Sequence, residues 1–244
     1  MKDNFSKQAD NYSKFRPGYP QELFDFLISL VPEQKTAWDC GTGNGQVALK
    51  LSEYFEVVHA SDISANQLAN AMNKDNIYYS LASAEETSYA ANKFDLVTVG
   101  QAIHWFNFDR FYKEANRILK TGGYIPVFGY NILQIDKETD KIITDFYKNV
   151  TGPYWDDERK YVDENYATIT FPFNEIKAPA LSGKYHWTLE QVTGYLHTWS
   201  GVQHYIKKNN NNPVNPLRDK LSHAWGNTLE KEVSFPIFMR VGRK

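Results

Sequence analysis

The sequence predicts an α/β fold in which helices cover both faces of a doubly wound, mostly parallel sheet. Three observations indicate this fold. Short apolar segments alternate with amphipathic ones over residues 19–130, a glycine-rich turn follows the first apolar segment after the opening helix, and the mixture of 42% hydrophobic and 23% charged residues is typical of a globular domain. The 244 residues suit one large domain or one domain with an elaborated end.

The regular elements lie in the first half of the chain. A helix begins after Pro20 and ends at Pro32, because proline is tolerated in a first helical turn and interrupts a continuing helix. Helices are also predicted after the first, second and fourth strands, with Ser64 and Asp109 as caps and Gly122-Gly123 ending the last of them. The predicted strands are residues 36–40, 56–61, 77–81, 94–99 and 124–128. Strands that alternate with helices form parallel βαβ units.

The second half of the chain has a less regular pattern. Residues 137–150 and 189–199 are predicted as helices, and Thr188 caps the second of them. Residues 151–183 are predicted to form loops or short strands, and residues 207–216 an exposed loop. A last strand is predicted at residues 233–241. Aromatic residues make up 15% of the chain and are frequent here, where they either pack a core or line a pocket.

Charge and composition argue against several classes of protein. A net charge of −2 gives no basic footprint for nucleic acid. The first twenty residues are too polar for a signal peptide and no apolar run is long enough to span a membrane, so we expect a cytoplasmic protein without a membrane partner. The single cysteine, Cys40, excludes an intrachain disulfide and a Cys-rich zinc site, and no metal is predicted because the histidines lack ligand spacing.

The glycine-rich turn, Gly41-Thr42-Gly43-Asn44-Gly45, lies between the first predicted strand and its helix. Its glycines let the backbone approach a ligand closely, at the sheet edge where parallel sheets bind nucleotides. Asp62 closes the second strand, where a carboxylate accepts hydrogen bonds from both ribose hydroxyls, and Glu85 follows the third, where an adenine edge would lie. Each feature also has an alternative role: the glycines would serve turn geometry alone, Asp62 would cap a helix and Glu85 would be a surface charge.

The spacing of the turn distinguishes between nucleotides. A dinucleotide fingerprint needs glycine where Gln46 stands, and the G-K-[S/T] sequence of a phosphate-binding loop is absent. Both departures disfavour phosphorylated ligands, NAD among them. They leave S-adenosylmethionine as the adenosine ligand without phosphates.

Five separated motifs resemble those of the class I S-adenosylmethionine-dependent methyltransferases. In chain order they are Asp39-x-Gly41-x-Gly43-x-Gly45, Asp62, Ala84-Glu85, residues 94–97 and residues 117–123. The segments around residues 5–20 and 101–106, the ending Phe235-Pro236 and the aromatic C-terminal half resemble, more narrowly, the trans-aconitate methyltransferase-like branch. The resemblance implies a seven-stranded Rossmann-like methyltransferase fold and methyl transfer (EC 2.1.1) to a small molecule, with a carboxylate of an organic acid as the narrower expectation.

The resemblance also divides the chain and implies a role for single residues. Residues 1–34 form an N-terminal lid and first helix, residues 35–130 the S-adenosylmethionine-binding core, and residues 131–244 the rest of the same domain with a substrate-side cap and the last strands. Arg16 either pairs with the cofactor's carboxylate or fastens the N-terminal segment. The predicted cofactor residues are Tyr12, Arg16, Tyr19, Asp39, Gly41, Thr42, Gly43, Gly45, Asp62, Ile63, Gln67, Ser83, Ala84, Glu85, Gln101 and Ala102.

His104 is the predicted catalytic residue, because it follows the fourth strand near the reactive end of the cofactor. Three roles stay open for it: a general base, a substrate-positioning group, or a partner for a loop carbonyl. Arg159, Lys184 and Arg218 either pair with an anionic substrate or are exposed charges. The predicted substrate residues are His104, Trp105, Tyr130, Trp187 and Trp199. An NAD-type oxidoreductase and a non-catalytic nucleotide-binding protein of the same fold remain the alternatives, and the oligomeric state stays open.

Overall fold

The computed structural model describes residues 15–244, and a mixed sheet forms their centre. Its strands are β1 (Thr36–Cys40), β2 (Val57–Asp62), β3 (Ile77–Leu81), β4 (Phe94–Gly100), β5 (Leu119–Tyr130), β6 (Asn174–Ile176), β7 (Leu181–Thr188) and β8 (Glu230–Arg243). They follow the order β3-β2-β1-β4-β5-β8-β6, and β7 pairs with β8 off this path. The predicted doubly wound α/β class is confirmed, with eight strands in this sheet where seven were expected.

The first five strands pair in parallel, and the later strands pair antiparallel through β8. The register places Cys40 beside Ser61 and Asp39 beside Thr98, so the carboxyl ends of β1, β2 and β4 meet at one edge. Trp38 at the centre is fully buried, and its indole N–H donates to the Ser61 hydroxyl at 3.0 Å. This buried indole therefore has its hydrogen bond satisfied inside the sheet.

Helices pack on both faces of this sheet. They are α1 (Gln21–Leu30), α2 (Gln46–Leu51), α3 (Ala65–Ala69), α4 (Phe108–Ile118), α5 (Lys137–Asp145), α6 (Arg159–Asp163), α7 (Leu189–His197), α8 (Ser200–Asn209) and α9 (Val214–Trp225). Short 3₁₀ turns cover Ile103–Trp105 and Gly152–Tyr154, and a π-helical turn, Phe146–Val150, continues α5. Over residues 15–244, no helix has the length and apolar character to cross a membrane.

Two predicted boundaries of α4 were wrong. Asn107, not Asp109, caps its start by accepting from the Arg110 N–H at 3.1 Å. Its end does not need Gly122-Gly123, because β5 begins directly at Leu119. The Lys244 ammonium, from the far end of the chain, donates to the Asn116 and Leu119 carbonyls at 2.5 and 2.7 Å.

The predicted exposed loop at residues 207–216 is mostly helical. Its first part ends α8 and its last part begins α9, so only a short segment joins the two helices. The aromatic second half forms a buried cluster of its own, which includes Tyr195, Trp199 and Phe235. Many of these aromatic residues therefore pack the core of the C-terminal cap.

Candidate functional site

A cleft opens at the edge where the carboxyl ends of β1, β2 and β4 meet. It encloses about 1320 Å³ of space, part of it open to solvent. The predicted site residues that line it are Arg16, Tyr19, Gly41, Thr42, Gly43, Asp62, Ile63, Gln67, Gln101, Ala102, His104, Trp105, Tyr130 and Trp199. The structure therefore brings together residues from both the N-terminal segment and the C-terminal cap.

The glycine-rich turn forms one wall of this cleft. Gly41, Gly43 and Gly45 all have left-handed backbones, with φ of 68°, 57° and 83°. A Cβ atom at Gly41 would lie 2.7 Å from the Ala102 Cβ, so only glycine permits this approach of β1 to the segment after β4. The Gly41 and Thr42 N–H groups donate to the Ser61 carbonyl at 2.9 and 3.0 Å, which ties the turn to the end of β2.

Asp62 closes β2 beside the turn. Its Oδ2 accepts from the Gly43 N–H and its Oδ1 from the Ser64 N–H, both at 2.9 Å. These bonds hold the carboxylate in one orientation at the wall of the cleft. A carboxylate oxygen accepts more than one hydrogen bond, so the same group is able to bind ligand hydroxyls.

Asp39 lies beneath the turn and has only 1% of its surface exposed. Its Oδ2 accepts from the Thr42 hydroxyl at 2.5 Å and its Oδ1 from the Thr98 hydroxyl at 2.8 Å. Burial raises the pKa of this carboxyl to about 6, and the two hydroxyl donors oppose that rise. Asp39 therefore supports the turn from below and does not line the cleft.

His104 lies in the 3₁₀ turn after β4 and lines the cleft. Its Nδ1 is 3.0 Å from the Tyr166 hydroxyl, and the Trp105 ring lies 4.8 Å away between centroids. Burial, and secondarily the positive charge of Arg159, lower the pKa of His104 to about 3. The imidazole is therefore neutral near physiological pH.

Comparison with known proteins places this chain in a family. A sequence profile of the methyltransferase domain matches residues 38–127. A Dictyostelium discoideum protein, provisionally named as a methyltransferase, is 31% identical to this chain over 250 residues. The match covers 99% of this chain and 95% of that protein. The chain belongs to the class I S-adenosylmethionine-dependent methyltransferases.

Solved structures agree with this membership. A structure from Anaeromyxobacter dehalogenans, provisionally described as a type II methyltransferase, has a TM-score of 0.87 and 35% identity, covering 94% of this methyltransferase and 98% of that chain. A Haemonchus contortus phosphoethanolamine N-methyltransferase 2 in complex with S-adenosyl-L-methionine has a TM-score of 0.50 and 19% identity, covering 98% of this chain and 57% of that one. The second likeness shows a shared fold.

Arg159 reaches the cleft of the methyltransferase from α6, although its side chain is only 21% exposed. Its Nε donates to the Tyr147 hydroxyl at 2.7 Å and to the Asp163 Oδ1 at 3.2 Å. The guanidinium also lies 4.8 Å from the centroid of the Trp155 ring. Of the three cations considered from the sequence, Arg159 alone lines this cleft, because Lys184 pairs with Glu232 and Arg218 lies on the exposed side of α9.

Arg16 joins the start of the described chain to the C-terminal cap. Its Nη1 donates to the Tyr130 hydroxyl at 2.9 Å and its Nη2 to the Thr198 carbonyl at 3.3 Å. The guanidinium also lies 5.5 Å from the centroid of the Tyr195 ring. The fastening role is therefore present in the structure, and the cofactor role stays a prediction.

Several predicted residues lie elsewhere in the methyltransferase. Tyr12 falls outside the described residues. Gly45 caps α2 below the turn, and Ser83, Ala84 and Glu85 lie beyond the end of β3, where Glu85 accepts from the Asn107 N–H at 3.0 Å. The structure does not bring Gly45, Ser83, Ala84 or Glu85 to the wall of the cleft.

Trp187 is a correction to the predicted substrate residues. It lies on β7 and is 8% exposed, and its ring packs 5.3 Å from Phe235 and 5.9 Å from Tyr195 between centroids. Because this face of β7 covers the aromatic core of the cap, the side chain packs there and does not line the cleft. An aromatic residue in a strand gives no signal in the sequence that separates the two positions.

Some residues that line the cleft are not among the predicted cofactor, catalytic or substrate residues. They are Pro17, Asn44, Gln46, Val47, Ser64, Gly100, Phe106, Trp155, Asp156 and Ser200. Asn44 and Ser64 flank predicted residues, so their neighbourhood was recognisable. Trp155 and Asp156 follow a 3₁₀ turn far along the chain, and no local pattern marks them for the cleft.

Proposed function

We propose that this methyltransferase binds S-adenosylmethionine in the cleft and transfers its methyl group to a carboxylate of a small organic acid. We place the chain in the trans-aconitate methyltransferase-like branch. The observation that carries the proposal is Arg159, a cation oriented by Tyr147 and Asp163 at the end of the cleft that also holds His104.

The cofactor end of the cleft fits an adenosyl ligand. The glycine-rich turn lets a ligand approach the backbone closely. The Asp62 carboxylate is held beside the turn, where it is able to accept hydrogen bonds from two ribose hydroxyls. Gln101, left-handed with φ of 53°, turns the chain sharply after β4 and sets Ala102 against Gly41. The Haemonchus contortus relative of the same fold was solved with this cofactor, which supports the proposal.

The acceptor end fits a carboxylate. The hydrogen bonds of Arg159 to Tyr147 and Asp163 use its Nε, and none of residues 15–244 accepts a hydrogen bond from its Nη1 or Nη2. Two such nitrogens bind a carboxylate through two parallel hydrogen bonds. The guanidinium carbon lies 4.8 Å from the centroid of the Trp155 ring, and this cation–π contact restrains the side chain, so less freedom is lost when an anion binds.

Methyl transfer to a carboxylate requires little acid–base catalysis from the protein. When bound, S-adenosylmethionine supplies an electrophilic methyl group on a sulfonium. An acid's carboxylate oxygen is already unprotonated near neutral pH, so its methylation would release no proton and would need no general base from the protein. The side chains of the cleft align the two reactants and exclude water, which is the main contribution a protein makes to such a transfer.

Two measurements test this function. Calorimetry should detect binding of S-adenosylmethionine and of its demethylated product, and no binding of NAD. Transfer of a labelled methyl group should then be seen with a panel of small mono-, di- and tricarboxylic acids, and not with matched amines or phenols. Binding of NAD in place of S-adenosylmethionine contradicts the cofactor, and transfer confined to amines or phenols contradicts the acceptor.

Arg159→Gln examines the acceptor end directly. The loss of two charged hydrogen bonds should raise the KM for the best acid about tenfold or more, while the Kd for S-adenosylmethionine stays the same. Arg218→Gln is the matched control, because it removes the same charge from an exposed position away from the cleft. An unchanged KM in the folded Arg159 variant removes this residue from acceptor binding.

A further inference from the structure

Tyr166 is a fully buried tyrosine whose hydroxyl meets the ring of His104. The distance from this hydroxyl to the His104 Nδ1 is 3.0 Å, and the two rings are stacked with centroids 6.0 Å apart. On its other side the Tyr166 ring lies at right angles to Phe238, 4.9 Å away between centroids. The tyrosine is therefore held between the sheet and the 3₁₀ turn that carries His104.

The backbone under Tyr166 has an uncommon conformation. Asn165 and Tyr166 are consecutive residues with left-handed backbones, φ 55° and 60°, which bulky side chains rarely adopt. Arg240 holds this segment through its Nη1, which donates to the Tyr166 and Ile169 carbonyls at 3.0 and 2.6 Å. This uncommon backbone conformation places the Tyr166 hydroxyl next to His104.

The direction of this hydrogen bond follows from burial. Among residues 15–244 the Tyr166 hydroxyl has one hydrogen-bonding partner, the His104 Nδ1. If Nδ1 carried the hydrogen, the phenol O–H would be a buried donor without an acceptor, which is strongly disfavoured. The arrangement that satisfies both groups has the phenol donating to an unprotonated Nδ1, so the neutral ring carries its hydrogen on Nε2.

We propose that Tyr166 is a positioning residue that fixes the Nε2–H tautomer of His104, so that His104 donates a hydrogen bond into the cleft and does not remove a proton from the acceptor. The Nδ1 is occupied by Tyr166, and no hydrogen bond to Nε2 comes from residues 15–244. His104 lines the cleft, so an acceptor oxygen is the natural partner of this N–H.

This inference deepens the proposed function, on which it rests for the identity of the acceptor. A donor at His104 next to the Arg159 guanidinium suits an acceptor that is already anionic, and it gives no base for a phenol or an alcohol. The titratable or charged groups near the imidazole are Tyr166 and Arg159, and Asp156 lines the same cleft. Arg159 and burial oppose a positive charge on the ring, in agreement with a neutral donor.

The tautomer is measurable without any turnover. In protein labelled with ¹⁵N-histidine, the His104 signals are identified by their loss in His104→Asn. We expect an unprotonated Nδ1 and a protonated Nε2, with no change between about pH 5 and 8, the range in which ordinary histidines titrate. A protonated Nδ1, or a titration in this range, overturns the proposal.

Tyr166→Phe tests the positioning role against a matched control. The variant should show a mixture of both tautomers and a kcat about tenfold lower, with an unchanged Kd for S-adenosylmethionine. Tyr112→Phe is the control, because Tyr112 is buried in the same core cluster and no residue from 15 to 244 makes a hydrogen bond to its hydroxyl. The control should leave the ¹⁵N spectrum and kcat as in the parent protein.

Equal spectra and equal kcat in Tyr166→Phe and the parent overturn the positioning role. The outcomes stay separate from those of the proposed function. If no carboxylic acid is methylated but the parent shows the Nε2–H form and Tyr166→Phe loses it, the acceptor assignment fails and the tautomer assignment stands.

Discussion

Asp39 and Asp62 show how two carboxylates near one turn differ in their surroundings. Asp62 lines the cleft and accepts from backbone N–H groups, whereas Asp39 is buried below and accepts from the hydroxyls of Thr42 and Thr98. Burial disfavours the charged form of Asp39 more than the two hydroxyls favour it, so the pKa of its carboxyl rises to about 6. At neutral pH the protein therefore keeps a buried charge that works against its own folding.

Asp39→Asn should stabilise the protein without ligand. Because the pKa of Asp39 is about 6 in the folded state against an ordinary value of 3.8, the folded state binds more protons between these values. The contribution of Asp39 to stability is thus favourable below the lower value and declines as the pH rises through the higher one. We expect the variant to raise the free energy of unfolding above about pH 7 by about 1–3 kcal/mol.

Urea denaturation at a series of pH values measures this effect, and the decline between about pH 4 and 6 should become shallower. Asp95→Asn is the comparison, since it removes a carboxylate of similar burial that pairs with Lys120 at 2.6 Å and accepts from the Thr36 N–H. That variant should be less stable than the parent at neutral pH. If Asp39→Asn is equally destabilised there, the buried charge is not the dominant effect.

Among the elements, some helix caps were predicted from local chemistry, whereas both boundaries of α4 were not, although its cap at Asn107 is also local. Ser64 and Thr188 were predicted as caps, and their hydroxyls accept from the Gln67 and Gln191 N–H groups, as expected for N-caps. The end of α4 was missed because β5 begins directly at Leu119, and because the Lys244 side chain, more than a hundred residues away, donates to the Asn116 and Leu119 carbonyls there. A cap that comes from a distant residue leaves no mark in the sequence around the helix.

Gly45→Ala tests the junction between the turn and α2. Gly45 has φ of 83°, and a Cβ there would collide with the Tyr79 hydroxyl, which donates to the Met72 carbonyl at 2.7 Å. The left-handed conformation costs alanine about 1–2 kcal/mol, and the collision adds about 1–3 kcal/mol. We expect Gly45→Ala to lower the free energy of unfolding by the sum of the backbone cost and the collision cost.

Gly43→Ala separates the two effects, because Gly43 is also left-handed but the nearest atom to its Cβ, the Gln67 Oε1, is 3.9 Å away. This control should lose only the backbone contribution. Adding Tyr79→Phe to Gly45→Ala removes the colliding hydroxyl and should recover part of the loss. Equal losses in the two alanine variants would mean that Tyr79 moves aside without cost.

On the scale of the whole molecule, the two ends of the cleft differ in how far the sequence predicts them. The wall made by the glycine-rich turn and Asp62 comes from neighbouring βα units, so spacing alone suggests it. The other end combines Tyr130, Arg159 and Trp199, which lie far apart in the chain and meet only after β5 and the cap have packed. Arg159 was therefore indistinguishable from an exposed charge until Tyr147 and Trp155 were placed around it.

Arg16 joins the start of the described chain to β5 and to the C-terminal cap. A pair of variants separates its two roles, fastening the chain and binding the cofactor. Arg16→Ala loses the hydrogen bonds to the Tyr130 hydroxyl and the Thr198 carbonyl, whereas Tyr130→Phe loses only the first and keeps the guanidinium. If Arg16 only fastens the chain, both variants should lower the free energy of unfolding, by about 1–2 kcal/mol for Arg16→Ala and less for Tyr130→Phe. The Kd for S-adenosylmethionine should then change little in either.

A guanidinium that also binds the cofactor's carboxylate gives a different pattern. The Kd should rise about tenfold or more in Arg16→Ala and stay near the parent value in Tyr130→Phe. We expect this second pattern, because Arg16 lines the cleft beside Tyr19 and a cation there balances the ligand's negative group. Chemical denaturation and calorimetry on the same two variants supply both numbers, and equal Kd values in parent and Arg16→Ala would leave Arg16 with the fastening role alone.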